Sequence, residues 1–189
     1  MMRGDNIFAM MWIAWGAYWL LLSRNVKVTT RREPLQSRLL HILPLLVAGI
    51  LLAAPYASVA LIGTRIVPSS RAGFWSGALL CALGLLFTVW ARVHLGRNWS
   101  GVVTLKQGHE LVTHGPYAIV RHPIYSGLLL AFIGCALARG TVGGLLGLVV
   151  AFLALWRKLR FEEAWMREHF GDAYTAYSKR VAAIIPFIL

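Results

Sequence analysis

Five stretches of the chain are almost wholly apolar: Ile7–Leu22, Leu39–Ile62, Phe74–Ala91, Pro123–Ala138 and Thr141–Trp156. All are near the ~20 residues that an α-helix needs to cross the hydrocarbon of a bilayer. Backbone in lipid must satisfy its own hydrogen bonds, so the pattern predicts five transmembrane helices and an all-α integral membrane protein. Pro44 and Pro55 fall inside the second stretch and predict a kink, or an early helix end, near Pro55. Only Arg139-Gly140 separates the fourth and fifth stretches, which makes them an antiparallel hairpin. Gly140 with Gly144, and Gly143 with Gly147, are small-xxx-small pairs that let helix backbones approach. At 1.5 Å per residue these two helices are only about 24 Å long, so their polar ends lie near the headgroups.

Charge sets the expected orientation. Fifteen of the 19 basic residues fall between the first and second stretches, between the third and fourth, or after the fifth. Only Arg3, Arg65, Arg71 and Arg139 lie on the other side. The positive-inside bias therefore puts the N-terminus outside and the C-terminus in the cytoplasm. A net charge of +12 would suit a nucleic-acid partner, but it is spread between apolar stretches rather than along one face. With 58% hydrophobic and 14% charged residues, the chain reads as a membrane domain with no nucleic-acid partner. No cleavable signal peptide is expected from its start. Cys81 and Cys135 fall inside apolar stretches without metal or redox spacing, and read as buried thiols.

The chain reads as one domain, with three N-terminal helices in residues 1–93 and a functional half in residues 94–189. That half has a cytoplasmic loop, His94–His122, and a tail, Arg157–Leu189. Phe161, Trp165 and Phe170 repeat at helical spacing, so the tail continues the fifth helix until Gly171 ends it. Ala173–Val181 predicts a second short amphipathic turn with Tyr174 and Tyr177, and Pro186-Phe187-Ile188-Leu189 an apolar end touching the bilayer.

Three constellations could carry chemistry. In Arg121-His122-Pro123-x-Tyr125, proline suits the first position of a helix, so the fourth helix starts there with free N–H groups and its positive end toward the loop. Such an end suits an anion. Glu162-Glu163 follows the fifth apolar stretch, and the hairpin brings it beside that helix start. His109-Glu110-Leu111-Val112-Thr113-His114-Gly115-Pro116-Tyr117 reads as a short extended segment ending in a Gly-Pro turn. Each also has a structural explanation: an interfacial anchor, a solvated helix face, a surface loop. No Rossmann or P-loop pattern, metal spacing or nucleophile elbow accompanies them, so no metal partner is expected.

The order of these motifs, with Phe170-Gly171-x-x-Tyr174-x-x-Tyr177 and Pro186 after them, resembles the isoprenylcysteine carboxyl methyltransferase family of integral membrane methyltransferases, related to the phospholipid methyltransferases. The resemblance runs from about Asn98 to Pro186; the first two helices resemble nothing in it. It implies S-adenosylmethionine-dependent methyl transfer at the cytoplasmic membrane face. It also implies that the cofactor is held by His109, Glu110, Leu111 and Val112, by Tyr117, by His122, Pro123, Ile124 and Tyr125, by Glu162, and by Thr104. The family engages its acceptor through a basic residue, an Arg, one helical turn before the Glu. The resemblance thus implies Lys158, with Arg157 beside it, as the catalytic residues that meet the acceptor, and Lys in place of Arg weakens a bidentate grip.

The residues suit that chemistry. Glu162 can hold a ribose diol or an amino group, His122 and the helix dipole a carboxylate, and Tyr117 or Tyr125 an adenine or a sulfonium. The implied acceptor is lipophilic or lipid-modified, an isoprenylcysteine carboxylate first, with a phospholipid amine, a thiol or a free hydrophobic acid as alternatives. The membrane would be a bacterial inner membrane or the endoplasmic reticulum. Two other classes stay open: a nicotinamide-dependent membrane reductase, for which Arg92 and Arg97 are the spare cations, and a non-catalytic membrane protein.

Overall fold

The computed structural model describes residues 5–23, 26–53, 61–100, 104–106, 108 and 110–186. Six α-helices and one two-stranded ribbon follow in the order α1 (Asp5–Leu22), β1 (Thr29–Arg32), α2 (Leu35–Ala53), α3 (Arg71–Leu95), β2 (Thr104–Lys106), α4 (Pro123–Arg139), α5 (Val142–Phe170) and α6 (Asp172–Arg180). Helices α2, α3 and α5 are long and apolar enough to cross a membrane; α1 and α4 are apolar but shorter. Large side chains such as Leu43, Leu46 and Ile50 on α2, Leu79 and Leu86 on α3 and Leu153 on α5 point outward. Exposed apolar rows of this size suit lipid rather than water, as in an integral membrane protein. Pro44 sits inside α2, which ends at Ala53. Pro55 lies outside the described residues.

The helices run alternately up and down. Phe8 of α1 meets Phe74 near the start of α3, and Trp19 meets Trp99 just past its end. Gly77 of α3 faces Gly134 and Ala138 of α4, while Gly84 faces Gly127 and Ala131, so α3 and α4 are antiparallel. The Arg139 guanidinium donates to the Ala53 carbonyl, joining the ends of α4 and α2. The starts of α2 and α4 thus share one end of the bundle with the ends of α1, α3 and α5.

The glycines work differently from the hairpin expectation. The tightest helix–helix seam is α3 against α4, built from Gly77, Gly84, Gly127 and Gly134, where an added Cβ would lie within 2.6 Å of backbone across the seam. Within the expected pairs, Gly140 is the left-handed turn residue (φ 59°) that closes α4. Gly147 packs on Ala48, Leu51 and Leu52 of α2, and Gly144 meets α4 at an ordinary 3.4 Å.

The turn between α4 and α5 is closed by chain from the segment between α2 and α3. The first N–H groups of a helix have no partner within it. Here Val142 N–H donates to Thr64 O (2.9 Å), Gly143 N–H to Ile62 O (2.9 Å) and Gly144 N–H to Thr141 Oγ1 (3.2 Å). At the opposite end, β1 pairs antiparallel with β2, Arg31 opposite Leu105 and Arg32 opposite Thr104. Lys27 Nζ donates to Gly108 O (2.7 Å), and Arg31 pairs with Glu168 (2.7 Å) over the Trp165 ring. The ribbon is a short addition to a fold that is otherwise all helical, as expected. It ties the loop after α1 to the loop after α3.

Helix α1 docks through indoles. Trp15 Nε1 donates to Thr88 Oγ1 (2.7 Å), and Trp12 stacks on Phe132 at 5.2 Å. An indole N–H in an apolar interior needs such an acceptor. Trp15→Phe is expected to lower stability by ~1 kcal/mol. A double-mutant cycle with Thr88→Val, read by thermal unfolding in detergent, should return a coupling energy of the same size. Both thiols, Cys81 and Cys135, are free and buried where α3 meets α4.

Candidate functional site

A cavity of about 350 Å³ opens where the start of α4, the polar half of α5 and the loop after α3 converge. That size lies within the range usual for small-molecule sites. It forms because Pro123 begins α4 with His122 as N-cap, and no side chain caps that end. Gly115 makes the preceding turn possible: its φ is +60°, and a Cβ there would fall 2.3 Å from His94 Cδ2. The short turn Gly115–Ala118 buries Pro116 and Tyr117. The Tyr117 carbonyl accepts from Tyr177 Oη at 2.5 Å. Burial, aided by the Glu162 carboxylate, pushes the Tyr117 phenol up, and burial pushes Tyr177 up to about 12. Both phenols therefore remain protonated donors across the physiological range.

Glu162 and Glu163 divide the work. Adjacent helical positions point about 100° apart. Glu163 turns inward, 3% exposed. Arg121 Nε donates to it at 2.8 Å, Arg121 Nη2 at 2.5 Å and Arg167 Nη2 at 2.7 Å. Arg121 also donates to Ser178 O (3.0 Å) and Val181 O, and the backbone N–H groups of Arg121 and His122 donate to Ala182 O and Ala183 O. The tail is thus fastened to the start of α4. Glu162 instead lines the cavity, where it accepts the Tyr125 hydroxyl at 2.6 Å. His122 stacks parallel to Tyr125 (5.4 Å, 1°), with Nδ1 3.8 Å from Glu162 and Nε2 3.4 Å from Glu163. Lys158 Nζ stands 5.5 Å over the other carboxylate's partner ring, that of Tyr125.

Of the residues singled out in the sequence, Thr104, Glu110, Leu111, Val112, Tyr117, His122, Pro123, Ile124, Tyr125, Lys158 and Glu162 all line this one cavity. Arg157 does not. Its guanidinium donates to Ser37 O (3.1 Å) and Ser37 Oγ (3.4 Å) on α2. His109 lies outside the described residues. Residues 110–113 form an irregular stretch rather than a paired strand. Trp15 and Trp19 of α1, Leu45 of α2, Asn98 and Trp99 also line the cavity and were missed. The aromatic spacing of α1 was the available signal, but an indole facing lipid carries the same signature. Asn98 Oδ1 and Thr104 Oγ1 are buried with no hydrogen-bond partner among the described residues. Buried polar atoms of this kind call for a ligand or water. The lining combines a carboxylate, an ammonium, phenols and indoles, which suits a polar, partly cationic small molecule.

A second, mainly apolar cavity of about 910 Å³, bounded chiefly by α1, α2 and α4, lies next to it, with Trp15 and Leu45 in the walls of both. The first is lined by several polar and charged groups and the second mainly by apolar side chains.

Residues 72–173 match the phospholipid methyltransferase (PEMT) family, and the chain belongs to that family. It is 32% identical over 118 residues to a probable protein-S-isoprenylcysteine O-methyltransferase of Oryza sativa subsp. indica, covering 59% of this chain and 60% of the relative. It is 36% identical over 115 residues to the protein-S-isoprenylcysteine O-methyltransferase of Schizosaccharomyces pombe (58% and 47%). It is also 30% identical over 116 residues to the cobalt-zinc-cadmium resistance protein CzcN of Cupriavidus metallidurans (60% and 52%). The chain thus spans less than two thirds of the length of these relatives.

Proposed function

We propose that the chain is an S-adenosylmethionine-dependent methyltransferase whose acceptor is a lipophilic carboxylate of the isoprenylcysteine kind. The observation that carries this reading is the pair of neighbouring cavities, with Glu162, Tyr125, His122 and Lys158 in the polar one and mainly apolar walls in the other. It has five membrane spans with the N-terminus outside, so that the polar cavity faces the cytoplasm; the basic residues clustered at that end of the bundle support this orientation.

The cofactor supplies an electrophilic methyl group on a sulfonium. The Asn98 and Thr104 oxygens, without a hydrogen-bond partner among the described residues, and the Glu162 carboxylate fit its hydroxyl and amino groups. The uncapped start of α4 fits its carboxylate, and the rings of Tyr117, Trp19 and Trp99 fit its adenine and its positive sulfur. Lys158 faces the acceptor and orients a carboxylate by charge. Methyl transfer is an in-line displacement, so these residues act by positioning and by excluding water. A carboxylate acceptor brings its own lone pair and needs no strong base.

A nicotinamide reductase is less well supported. A 2′-phosphate needs spare guanidinium groups, whereas Arg92 is bonded to Gly96 O and Leu22 O beneath Trp99. Arg121, the one described guanidinium lining the cavity, is held by Glu163.

The test is a thermal-shift measurement with S-adenosylhomocysteine, followed by transfer of labelled methyl to N-acetyl-S-farnesylcysteine, a phospholipid amine and a lipophilic thiol in parallel. At a hundredfold excess over Kd, a ligand that binds only the folded state adds ~2.7 kcal/mol, which should raise the melting temperature by several degrees. NADPH should give no shift. No shift with S-adenosylhomocysteine would remove the proposal.

A further inference from the structure

A buried ionisable pair lies outside both the family-matched stretch and the cavity lining. Glu33 precedes α2, and His41 is on its second turn. His41 Nε2 stands 3.2 Å from Glu33 Oε1, and the two side chains are 2% and 0% exposed. His41 Nδ1 has no hydrogen-bond partner among the described residues. The rest of α2 turns Leu39, Leu40, Leu43, Leu46 and Val47 outward. Ionisable groups at such a place are costly and mark function more often than packing.

What the pair stands behind follows from the contact between α2 and α5. Arg157 of α5 donates to both oxygens of Ser37. On α2, Ser37 lies one turn before His41 on the same face, and it follows Glu33 by four residues. The residue after Arg157 is Lys158, which lines the cavity over Tyr125. Burial pushes the Lys158 amine down toward its neutral form, and the carboxylates of Glu162 and then Glu33 oppose that. The charged groups acting on His41 are Glu33, Lys158, Arg157 and Arg38. Cations from α2 and α5 therefore lie near the buried Glu33–His41 pair.

Resting on the methyltransferase reading, we propose that Glu33 and His41 are positioning residues for Lys158. They hold its ammonium charged and aimed at the cavity, so that the N-terminal half of the chain sets the acceptor class as a lipophilic anion. The acceptor's carboxylate meets Lys158, and Glu33 supplies the counter-charge that keeps the amine protonated in an enclosed place. His41 fixes which Glu33 oxygen faces Lys158. An uncharged amine at that position would lose the anion.

The experiment uses the full-length protein in detergent, with two readouts. The first is competitive acetylation of Lys158 by acetic anhydride at pH 8, followed by mass spectrometry; it needs no acceptor. Glu33→Gln is expected to speed labelling of Lys158 about tenfold, equivalent to one pH unit, and Glu33→Asp to restore most of the protection. The second is kinetics with N-acetyl-S-farnesylcysteine. Glu33→Gln and His41→Gln should each raise KM about tenfold with kcat within about threefold, the pattern of lost uniform binding. The shift with S-adenosylhomocysteine should be unchanged, and Lys158→Met should add nothing to Glu33→Gln. A merely structural pair would lower the melting temperature and leave labelling and KM alone. Unchanged labelling in both variants overturns the proposal, as does a KM effect additive with Lys158→Met. If Glu33→Gln does not fold, His41→Gln decides by the same two readouts. If the wild type shows the S-adenosylhomocysteine shift but never methylates the farnesylcysteine, the acceptor reading fails and this role falls with it, whatever the labelling shows.

Discussion

Glu163→Ala is expected to remove about 3–5 kcal/mol of stability, the usual result of leaving a buried charge without its partner. Its neighbour, Glu162→Ala, should melt close to the wild type. The difference arises from direction alone. Glu163 is the hub of three guanidinium contacts at 2.5–2.8 Å, and its loss leaves Arg121 in a half-buried place with only carbonyl acceptors. Arg121 in turn fastens Ser178 and Val181 to the start of α4, so the tail and the His122 turn should loosen together. For a chain of this length a loss of that size lowers the melting temperature by on the order of 10 °C. Glu162→Ala removes the acceptor for Tyr125 and the longer contact to His122 Nδ1 from a half-exposed position, a smaller loss than three charged hydrogen bonds to a buried carboxylate. On the reading proposed above it should abolish the shift with S-adenosylhomocysteine. Thermal unfolding of both variants, with and without the ligand, separates the roles in one experiment. Equal melting temperatures for the two would refute the division.

Much of this arrangement was legible in the sequence because it rests on local rules. Pro123 begins α4, Gly140 ends it, and Gly171 breaks the chain between α5 and α6, each by its own backbone preference. The hairpin, and the run of α5 past its apolar stretch, then bring Glu162 beside Tyr125 without further information. What was not legible depends on direction or on pairing at a distance. Arg157 and Lys158 are neighbours in sequence, yet one turns to Ser37 and the other to the cavity. The ribbon joins Thr29–Arg32, a short polar stretch without alternation, to Thr104–Lys106. Its register depends on how α1 and α3 are placed. Trp15 and Trp19 look like interfacial aromatics until α1 is docked on α3. His41 sits in an apolar stretch, where one polar residue is easily passed over. Its meaning comes from Glu33 and α5, not from its neighbours in α2.

The glycine seam is the other place where small sequence changes should have large effects. Gly134→Leu is expected to prevent α3 and α4 from packing. A Cβ at Gly134 would lie 2.4 Å from Gly77 O and 2.5 Å from Cys81 N. At Gly84 the obstacles are Ala131 N and Gly127 O, both at 2.5 Å. These neighbours are backbone atoms of a facing helix, so no rotamer change can relieve the overlap. The helices must separate, and with them the contacts of Cys81, Leu85 and Ala131 that fill the core between them. Overpacking in less constrained cores costs ~1–3 kcal/mol, and a seam closed by backbone on both sides should reach or exceed the upper figure. Alanine alone should already be destabilising at Gly134 and Gly84. Gly16→Ala and Gly49→Ala, where nothing lies within 4 Å, should stay within about 0.5 kcal/mol of the wild type. Gly127→Ala carries the further consequence. Its Cβ would press on Gly84 O and Thr88 Cγ2 at 2.6 Å, two residues after Tyr125. Displacing α4 there tilts Pro123, Tyr125 and the uncapped helix start, so ligand-dependent stabilisation should weaken more than the basal melting temperature falls. The order Gly134→Leu, Gly134→Ala, Gly127→Ala, Gly49→Ala in decreasing loss of stability, with Gly127→Ala alone out of line in ligand response, is the signature of a site positioned by the α3–α4 seam.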